Sequence, residues 1–305
     1  LKKFESYIHV KGDKNSLIGN EVNCFLRDRS GNMLMGTNTV NIFDSAKKKF
    51  IPLGLNNLSG FLLQKCYVWK LYQDSKNILW IATIFGLFSY DPVTKAQRWY
   101  RFDKKDSTSL GATSCTGIIE DNKGRYWVTT WGGGLNAFDP VSGKFRHFMV
   151  HEGENSISTN NVDGIFEDSR GILYIGSSNG GLITFNPDKE TFKIYRHRAN
   201  NPNSPSSDKP QSILESKKGV IWFCTRGGGL NAFDPVTEKF RAFTTKDGLC
   251  SNGVASIVAD NAGNYWLGTG NGLSCFTPPE NPFDSSSKFH FRNYDKRDGL
   301  PGNAM

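Results

Sequence analysis

Short apolar runs alternate with polar punctuation along the whole chain, and the runs are too brief for helices. Gly117-Ile118-Ile119-Glu120, Tyr126-Trp127-Val128-Thr129-Thr130 and Lys144-Phe145-Arg146-His147-Phe148 are typical. Apolar residues either alternate or fill a run of four to six positions, which predicts strands; helical periodicity is absent between them. The punctuation is regular. An acidic residue stands three before a Gly or Asn at Asp28/Gly31, Asp74/Asn77, Asp121/Gly124, Asp168/Gly171 and Asp260/Gly263, and Ser216/Gly219 takes the same place. Such pairs predict tight turns, with the acidic side chain folded onto the backbone and the glycine supplying positive φ.

Successive turns lie 46, 47, 47, 48 and 44 residues apart. The same period shows in a near copy, since residues 131–141 return at 226–236, ninety-five residues on, with Trp131 exchanged for Arg226. After each turn comes a strand bearing Trp or Tyr, then a glycine turn and a Gly-Leu-x-x-Phe strand. Asp91-Pro92, Asp139-Pro140, Asn186-Pro187 and Asp234-Pro235 close that third strand, and a more polar fourth follows. Four antiparallel strands in each period of about 47 residues predict one propeller blade. The expected fold is therefore an all-β β-propeller of four-stranded antiparallel blades. Six complete repeats fall at about 16–54, 61–102, 110–150, 157–198, 206–246 and 250–294. Both ends overhang, with partial strands expected at 1–10, around Lys3-Phe4-Glu5-Ser6-Tyr7, and at 298–305, from Asp298 to Asn303 and beyond. A seven-bladed parent ring in a longer array explains both overhangs; a closed six-bladed ring fits the same sequence.

Composition agrees with an all-β chain: 13% aromatic, 32 glycines and a mean hydropathy of −0.45. No apolar stretch approaches the roughly 18 residues that a membrane helix needs, and no signal-peptide pattern opens the sequence. The net charge of +8 comes from short clusters such as Lys47-Lys48-Lys49, Lys104-Lys105 and Arg196-His197-Arg198. Scattered over outer strands and turns, they suit a solvated rim that guards sheet edges, and they favour encounters with anions. They form no single basic tract with interleaved aromatics, so nucleic acid is not an expected partner. The six cysteines show no metal-ligand spacing and are expected as buried or loop thiols, with a bridge through Cys66 or Cys250 the alternative.

The repeat D-x-x-G-x-x-W-x-G-T-x-x-G-L-x-x-F-D-P-x-T, with Asp247-Gly248-Leu249-Cys250-Ser251-Asn252 before the next blade, resembles the two-component regulator propeller family along essentially the whole chain. The first blade departs from it, with Asn38-Thr39-Val40-Asn41-Ile42-Phe43 in place of the Gly-Leu turn, and the fifth carries Ser216 for Asp. The resemblance implies a periplasmic, non-enzymatic sensor region of a Bacteroidetes-type hybrid two-component system, detecting glycan breakdown products. It also implies partners in the same parent chain: a further propeller and signalling domains, a membrane helix outside this sequence, and a homodimer of the full-length receptor.

Ligand residues are expected where unlike side chains occupy equivalent places around the propeller mouth. Directly after the second strand stand Asn38, Trp131 and Arg226, and one step on Phe85, Asn179 and Asn271. Five residues before each hairpin turn lies a further column, Asn23, Trp69, Thr116, Asp163, Gln211 and Ala255, of which Trp69, Asp163 and Gln211 join the candidate set. Exposed aromatic faces stack on sugar rings, and Arg binds carboxylate or sulfate in bidentate fashion. An oligosaccharide, neutral or anionic, is the expected ligand, with Trp131 and Arg226 as its foremost contacts. Trp80, Trp127, Trp222 and Trp266 recur in register and are expected in the core. No catalytic motif, metal set or cofactor cradle is present. A protein-interaction scaffold is the alternative function; a propeller lyase or glycosidase using Asp163 is the remoter one.

Overall fold

The computed structural model describes residues 4–55, 66–153, 155–284, 286–287 and 289–302. Residues 1–3 and 303–305 of the expected overhangs, and residues 61–65 at the head of the expected second repeat, lie outside the described residues. The protein is an all-β propeller of six four-stranded antiparallel blades, each in simple consecutive strand order. Blade 1 runs over 24–52, blade 2 over 68–100, blade 3 over 114–148, blade 4 over 162–195, blade 5 over 210–243 and blade 6 over 254–294. Two 3-10 turns, Thr245–Asp247 and Lys296–Asp298, are the helices among the described residues.

The chain divides into two compact units. One comprises Tyr7–Val150 with Asn160–Val162; the other gathers Asp163 onward with His151–Thr159 and the described residues up to Ser6. In the first unit, Cys24, Leu34 and Val40 of blade 1 pack with Val68, Leu71, Ile81 and Phe88 of blade 2. Trp80, Ala82 and Leu87 of blade 2 then pack with Ile118, Tyr126, Val128 and Phe138 of blade 3. In the second unit, Tyr174 and Leu182 of blade 4 meet Ile221, Phe223 and Phe233 of blade 5, and Trp222, Cys224 and Leu230 of blade 5 meet Val254, Ile257, Leu267 and Phe276 of blade 6. The apolar interior is thus a set of layers between adjacent blades, each burying both faces of a short sheet.

Each hairpin turn forms as its residues dictate. Gly31, Gly124, Gly171, Gly219 and Gly263 have positive φ, and Asn77 substitutes at φ 71. The acid has two tasks. In blade 2, Asp74 Oδ1 accepts from the backbone N–H of Lys76 (3.0 Å) and Ile78 (2.8 Å), while Oδ2 accepts from Trp80 Nε1 (2.8 Å) and from the Tyr126 hydroxyl of blade 3 (2.9 Å). Asp121 accepts from Trp127 Nε1 at 2.9 Å and Asp260 from Trp266 Nε1 at 2.9 Å, and Asp168 takes the Tyr174 hydroxyl at 3.2 Å. Trp80, Trp127 and Trp222 are buried as expected, whereas Trp266 is half-buried and stacks on Tyr294. At Gly229, which opens the third strand of blade 5 at φ 86, a Cβ would lie 2.1 Å from the Phe243 carbonyl oxygen, so only glycine fits.

No strand forms in the expected overhangs among the described residues. Residues 4–10 have no strand structure: Phe4 sits edge-on to Tyr294 and Ser6 Oγ donates to the Gly299 carbonyl, while Tyr7 packs edge-on to Phe43 and Phe50. At the other end, Lys296–Asp298 is a capped 3-10 turn with Gly299 in the left-handed region, and no strand follows within the described residues. Blade 6 also differs, because a long segment separates its third strand Gly272–Phe276 from its fourth, Arg292–Tyr294. That segment is tied to blade 5, where Arg241 Nη1 donates to the Pro282 and Asp284 carbonyls at 2.7 Å and Phe289 packs on Phe243. All six cysteines are unpaired thiols, five of them buried and Cys250 half-buried.

Candidate functional site

Backbone geometry sets apart one end of each blade, where the innermost strand begins and the second strand finishes. In blades 2, 3, 5 and 6 the innermost strand carries a β-bulge there. Pairing jumps from Val68↔Thr83 to Lys70↔Ala82, passing over Trp69, and in blade 3 it passes over Thr116. In blade 5 the shift spans Gln211 and Ser212, and in blade 6 it passes Ala255. A bulge leaves one residue outside the ladder and re-aims its side chain, so this column is released from the sheet at a fixed place. Its members differ in role. Thr116 is buried, its hydroxyl donating to the Val162 carbonyl at 2.8 Å and lying 3.0 Å from Thr129 Oγ1, so a solvent-lining role does not hold for it. Trp69 and Gln211 are half-buried, Ala255 is exposed, and Asp163 is half-buried in Val162–Glu167.

The tips after the second strands are held by the incoming connections. Trp131 ends the strand Tyr126–Trp131 and pairs as an isolated bridge with Asn161, while the N–H groups of Gly132 and Gly134 both donate to the Asn160 carbonyl at 3.0 Å. Arg226 repeats the arrangement in blade 5, bridging to Gly253, with Gly227 and Gly229 donating to the Asn252 carbonyl. Trp131 is 37% exposed and Phe85 38%, and Arg226, Asn38, Asn179 and Asn271 are exposed. Phe85 is positioned by its own N–H to Thr83 Oγ1 and by Trp99 Nε1, which donates to its carbonyl.

Of the sequence-predicted residues, Asn38, Trp69, Phe85 and Trp131 lie in the first unit, and Asp163, Asn179, Gln211, Arg226 and Asn271 in the second. One pair is in direct contact: the Trp69 and Trp131 ring centroids are 5.2 Å apart, inclined at 53°. Tyr67 extends the cluster, edge-on to Trp69 at 4.7 Å. Burial first, and then the negative charge of Glu21, pushes the Tyr67 phenol upward; the neighbouring Asn23 amide opposes this. Sequence reasoning had no place for Tyr67. The available signal was Tyr67-x-Trp69, two aromatics at alternate positions leading into an inner strand.

Four of the five histidines lie against backbone carbonyls. The rings of His9, His147, His151 and His197 lie 2.6–2.9 Å from the carbonyls of Leu17, Ser109, Glu152 and Pro205 respectively. No group of three or more His, Cys, Asp or Glu side chains among the described residues is placed to hold a metal ion. Nor is any described helix long and apolar enough to cross a membrane.

Four segments, residues 16–39, 62–85, 156–179 and 248–271, match the profile of the two-component regulator propeller family. The chain carries two-component regulator propeller repeats. Each matched segment covers a connection, an inner strand, the Asp turn and the second strand, and so includes both columns of candidate residues. Among solved structures, this regulator-propeller chain is similar to the extracellular domain of a putative hybrid two-component system from B. thetaiotaomicron (17% identity over 92% of this chain and 49% of that one, TM-score 0.48). It is similar too to PorZ, a surface component of the type-IX secretion system of Porphyromonas gingivalis (19%, 88% of this chain and 40% of that one, TM-score 0.65). A third is virginiamycin B lyase from Staphylococcus aureus (12%, 98% and 91%, TM-score 0.67). The PorZ and lyase likenesses show the shared propeller fold. The regulator-propeller chain spans about half the length of the hybrid-system domain it matches. No curated protein matches it.

Proposed function

We propose that this chain is the ligand-recognition part of an extracytoplasmic two-component sensor, that it performs no catalysis, and that its ligand is an oligosaccharide. The observation that carries the reading is the set of regulator-propeller repeats, which are matched in four places. The ligand class is supported by the partly exposed indole of Trp131, which contacts the ring of Trp69 at a bulge. A rigid aromatic face presents an apolar surface to sugar C–H groups and loses little rotamer freedom on binding. The sensor would sit in the periplasm, and signalling domains of the parent protein beyond the membrane would read its bound state.

Titration calorimetry of the intact sensor region against a broad oligosaccharide panel tests this reading. Binding is expected, and Trp131→Ala is expected to weaken it by about 2 kcal/mol or more, roughly thirtyfold, as loss of a central aromatic contact does. If no oligosaccharide binds, the direct-receptor reading fails and a protein scaffold takes its place; new reducing ends or unsaturated products would instead reveal an enzyme.

A further inference from the structure

A side chain that meets a ligand is effective only where its support is fixed. The tip bearing Trp131 is supported by two connecting segments. The segment entering its own blade runs so close that a Cβ on Gly133 would fall 2.3 Å from the Gly111 carbonyl carbon. The segment leaving the blade supplies Asn160, whose carbonyl oxygen receives the N–H groups of Gly132 and Gly134, both at 3.0 Å. Both lone pairs of that oxygen are thereby used. Asn161, on the other side of the same peptide, bridges to Trp131 itself. A rotation of this one peptide would therefore loosen the whole tip.

What holds that peptide is the Asn160 side chain. Its Oδ1 accepts the Val150 N–H at 2.8 Å, which ties the connection to the residues just past the outer strand Lys144–Phe148. The device recurs under different tips. Asn252 Oδ1 accepts the Thr245 N–H at 2.8 Å, and its carbonyl takes Gly227 at 3.2 Å and Gly229 at 2.8 Å beside Arg226. Asp208 Oδ1 accepts the His197 N–H at 2.6 Å, and its carbonyl takes Gly181 at 3.0 Å. Asp can stand where Asn stands because the bond needs only an acceptor oxygen, which both side chains offer. Asn20 has the side-chain half alone: its Oδ1 accepts the His9 N–H at 2.6 Å, but among the described residues no glycine-turn N–H reaches its carbonyl.

We propose that Asn160 is a positioning residue of the ligand site: its side-chain oxygen fixes the carbonyl that holds the Gly132–Gly134 turn, and through that turn it sets how Trp131 is presented. Asn252 stands in the same relation to Arg226. The proposal rests on the oligosaccharide-sensor reading for what Trp131 touches, but not for how Trp131 is held.

Fluorine NMR tests the holding without any ligand. Incorporated fluorotryptophan gives one resonance for each of the seven tryptophans, and Trp131→Phe identifies the resonance of Trp131. In Asn160→Ala that resonance is expected to shift or broaden, and in Asn160→Asp, which keeps the oxygen, to return close to its wild-type position. Asn20→Ala deletes an equivalent bond that supports no glycine turn, and it should leave the resonance in place. Melting curves report whether each variant is folded. Calorimetry against maltohexaose, cellohexaose, laminarihexaose, mannohexaose, xylohexaose, oligogalacturonate and a chondroitin sulfate hexasaccharide should show binding weakened about threefold to tenfold in Asn160→Ala, as loss of one hydrogen bond implies, and recovered in Asn160→Asp. A Trp131 resonance unmoved in folded Asn160→Ala, or moved as far by Asn20→Ala, overturns the positioning role whatever binds. Should the resonance move while a sugar binds Asn160→Ala as tightly as wild type, the link from tip to ligand is refuted. Silence of the wild type across all these sugars removes the sensor reading and the ligand half of the proposal, while the fluorine result still decides how Trp131 is held.

Discussion

Replacing Asp74 by Ala tests whether the hairpin acid holds neighbouring blades together or merely shapes its turn. The carboxylate is 1% exposed and accepts four hydrogen bonds: two from the turn backbone, one from the Trp80 indole and one from the Tyr126 hydroxyl. Trp80 is 2% exposed and Tyr126 4%, so neither donor reaches water once the acceptor is gone. Leaving a buried donor unsatisfied costs about 1–3 kcal/mol, and losing the turn bonds adds about 1 kcal/mol. With two such donors stranded, the sum is a loss of about 3–7 kcal/mol, a large share of a typical domain's stability. Urea unfolding followed by tryptophan fluorescence measures it. Asp28→Ala is the internal control. Asp28 holds the Asn32 N–H and side-chain amide (2.7 and 2.9 Å), and Asn32 is exposed, so water replaces the acid and the expected loss is about 1 kcal/mol or less. Equal losses for the two variants would refute the reasoning, because the indole and phenol would then have found other partners at no cost.

Gly229→Ala combines a positive φ with a Cβ 2.1 Å from a backbone oxygen, and an expected loss of about 2–4 kcal/mol shows as a lowered urea midpoint; a change below about 0.5 kcal/mol would mean the turn relaxes freely. Asp260 is held down to about 2, first by the Asn264 amide and next by the Trp266 indole. Its folded value lies below the ordinary 3.8, so the stability it adds is complete above about pH 4 and disappears as pH falls through about 2. The urea midpoints of wild type and Asp260→Asn should therefore converge between pH 5 and pH 2; a constant gap contradicts this. Burial pushes the thiols of Cys66 and Cys24 up to about 12 and about 11, and those of Cys115 and Cys224 further upward. A thiol reagent at pH 8 should accordingly modify Cys250 first, and rapid labelling of Cys115 in the folded protein would contradict its burial.

The repeat was legible in the sequence because its signals are local. Asp, Gly, Trp and the Asp-Pro pairs each act within a few residues, and a period near 47 repeats them until chance is excluded. The second task of the acid was less visible, although the constant spacing of Asp74 to Trp80, Asp121 to Trp127 and Asp260 to Trp266 encodes it. The bulges escaped because they add no letter that a pattern would register: Trp69 and Thr116 sit in ordinary strand sequence and are passed over only when the partner strand is laid beside them. The contact between Trp69 and Trp131 spans two blades, so column membership alone did not reveal it. The terminal strand failed for a different reason. Phe4 and Tyr7 have the spacing of an outer strand, but both rings are taken by aromatics on other segments, Tyr294 for one and Phe43 with Phe50 for the other.

The reach of Asp74 across to Tyr126 also limits how such repeats can be recombined. A blade transplanted with its acid but without the phenol of its follower would carry a buried charge minus one donor, and the reverse graft would strand a hydroxyl in an apolar layer. Shuffling should therefore move acid and phenol as a single inheritance, with crossovers outside the 74–126 interval, at solvent-facing turns such as those bearing Val141 and Val236.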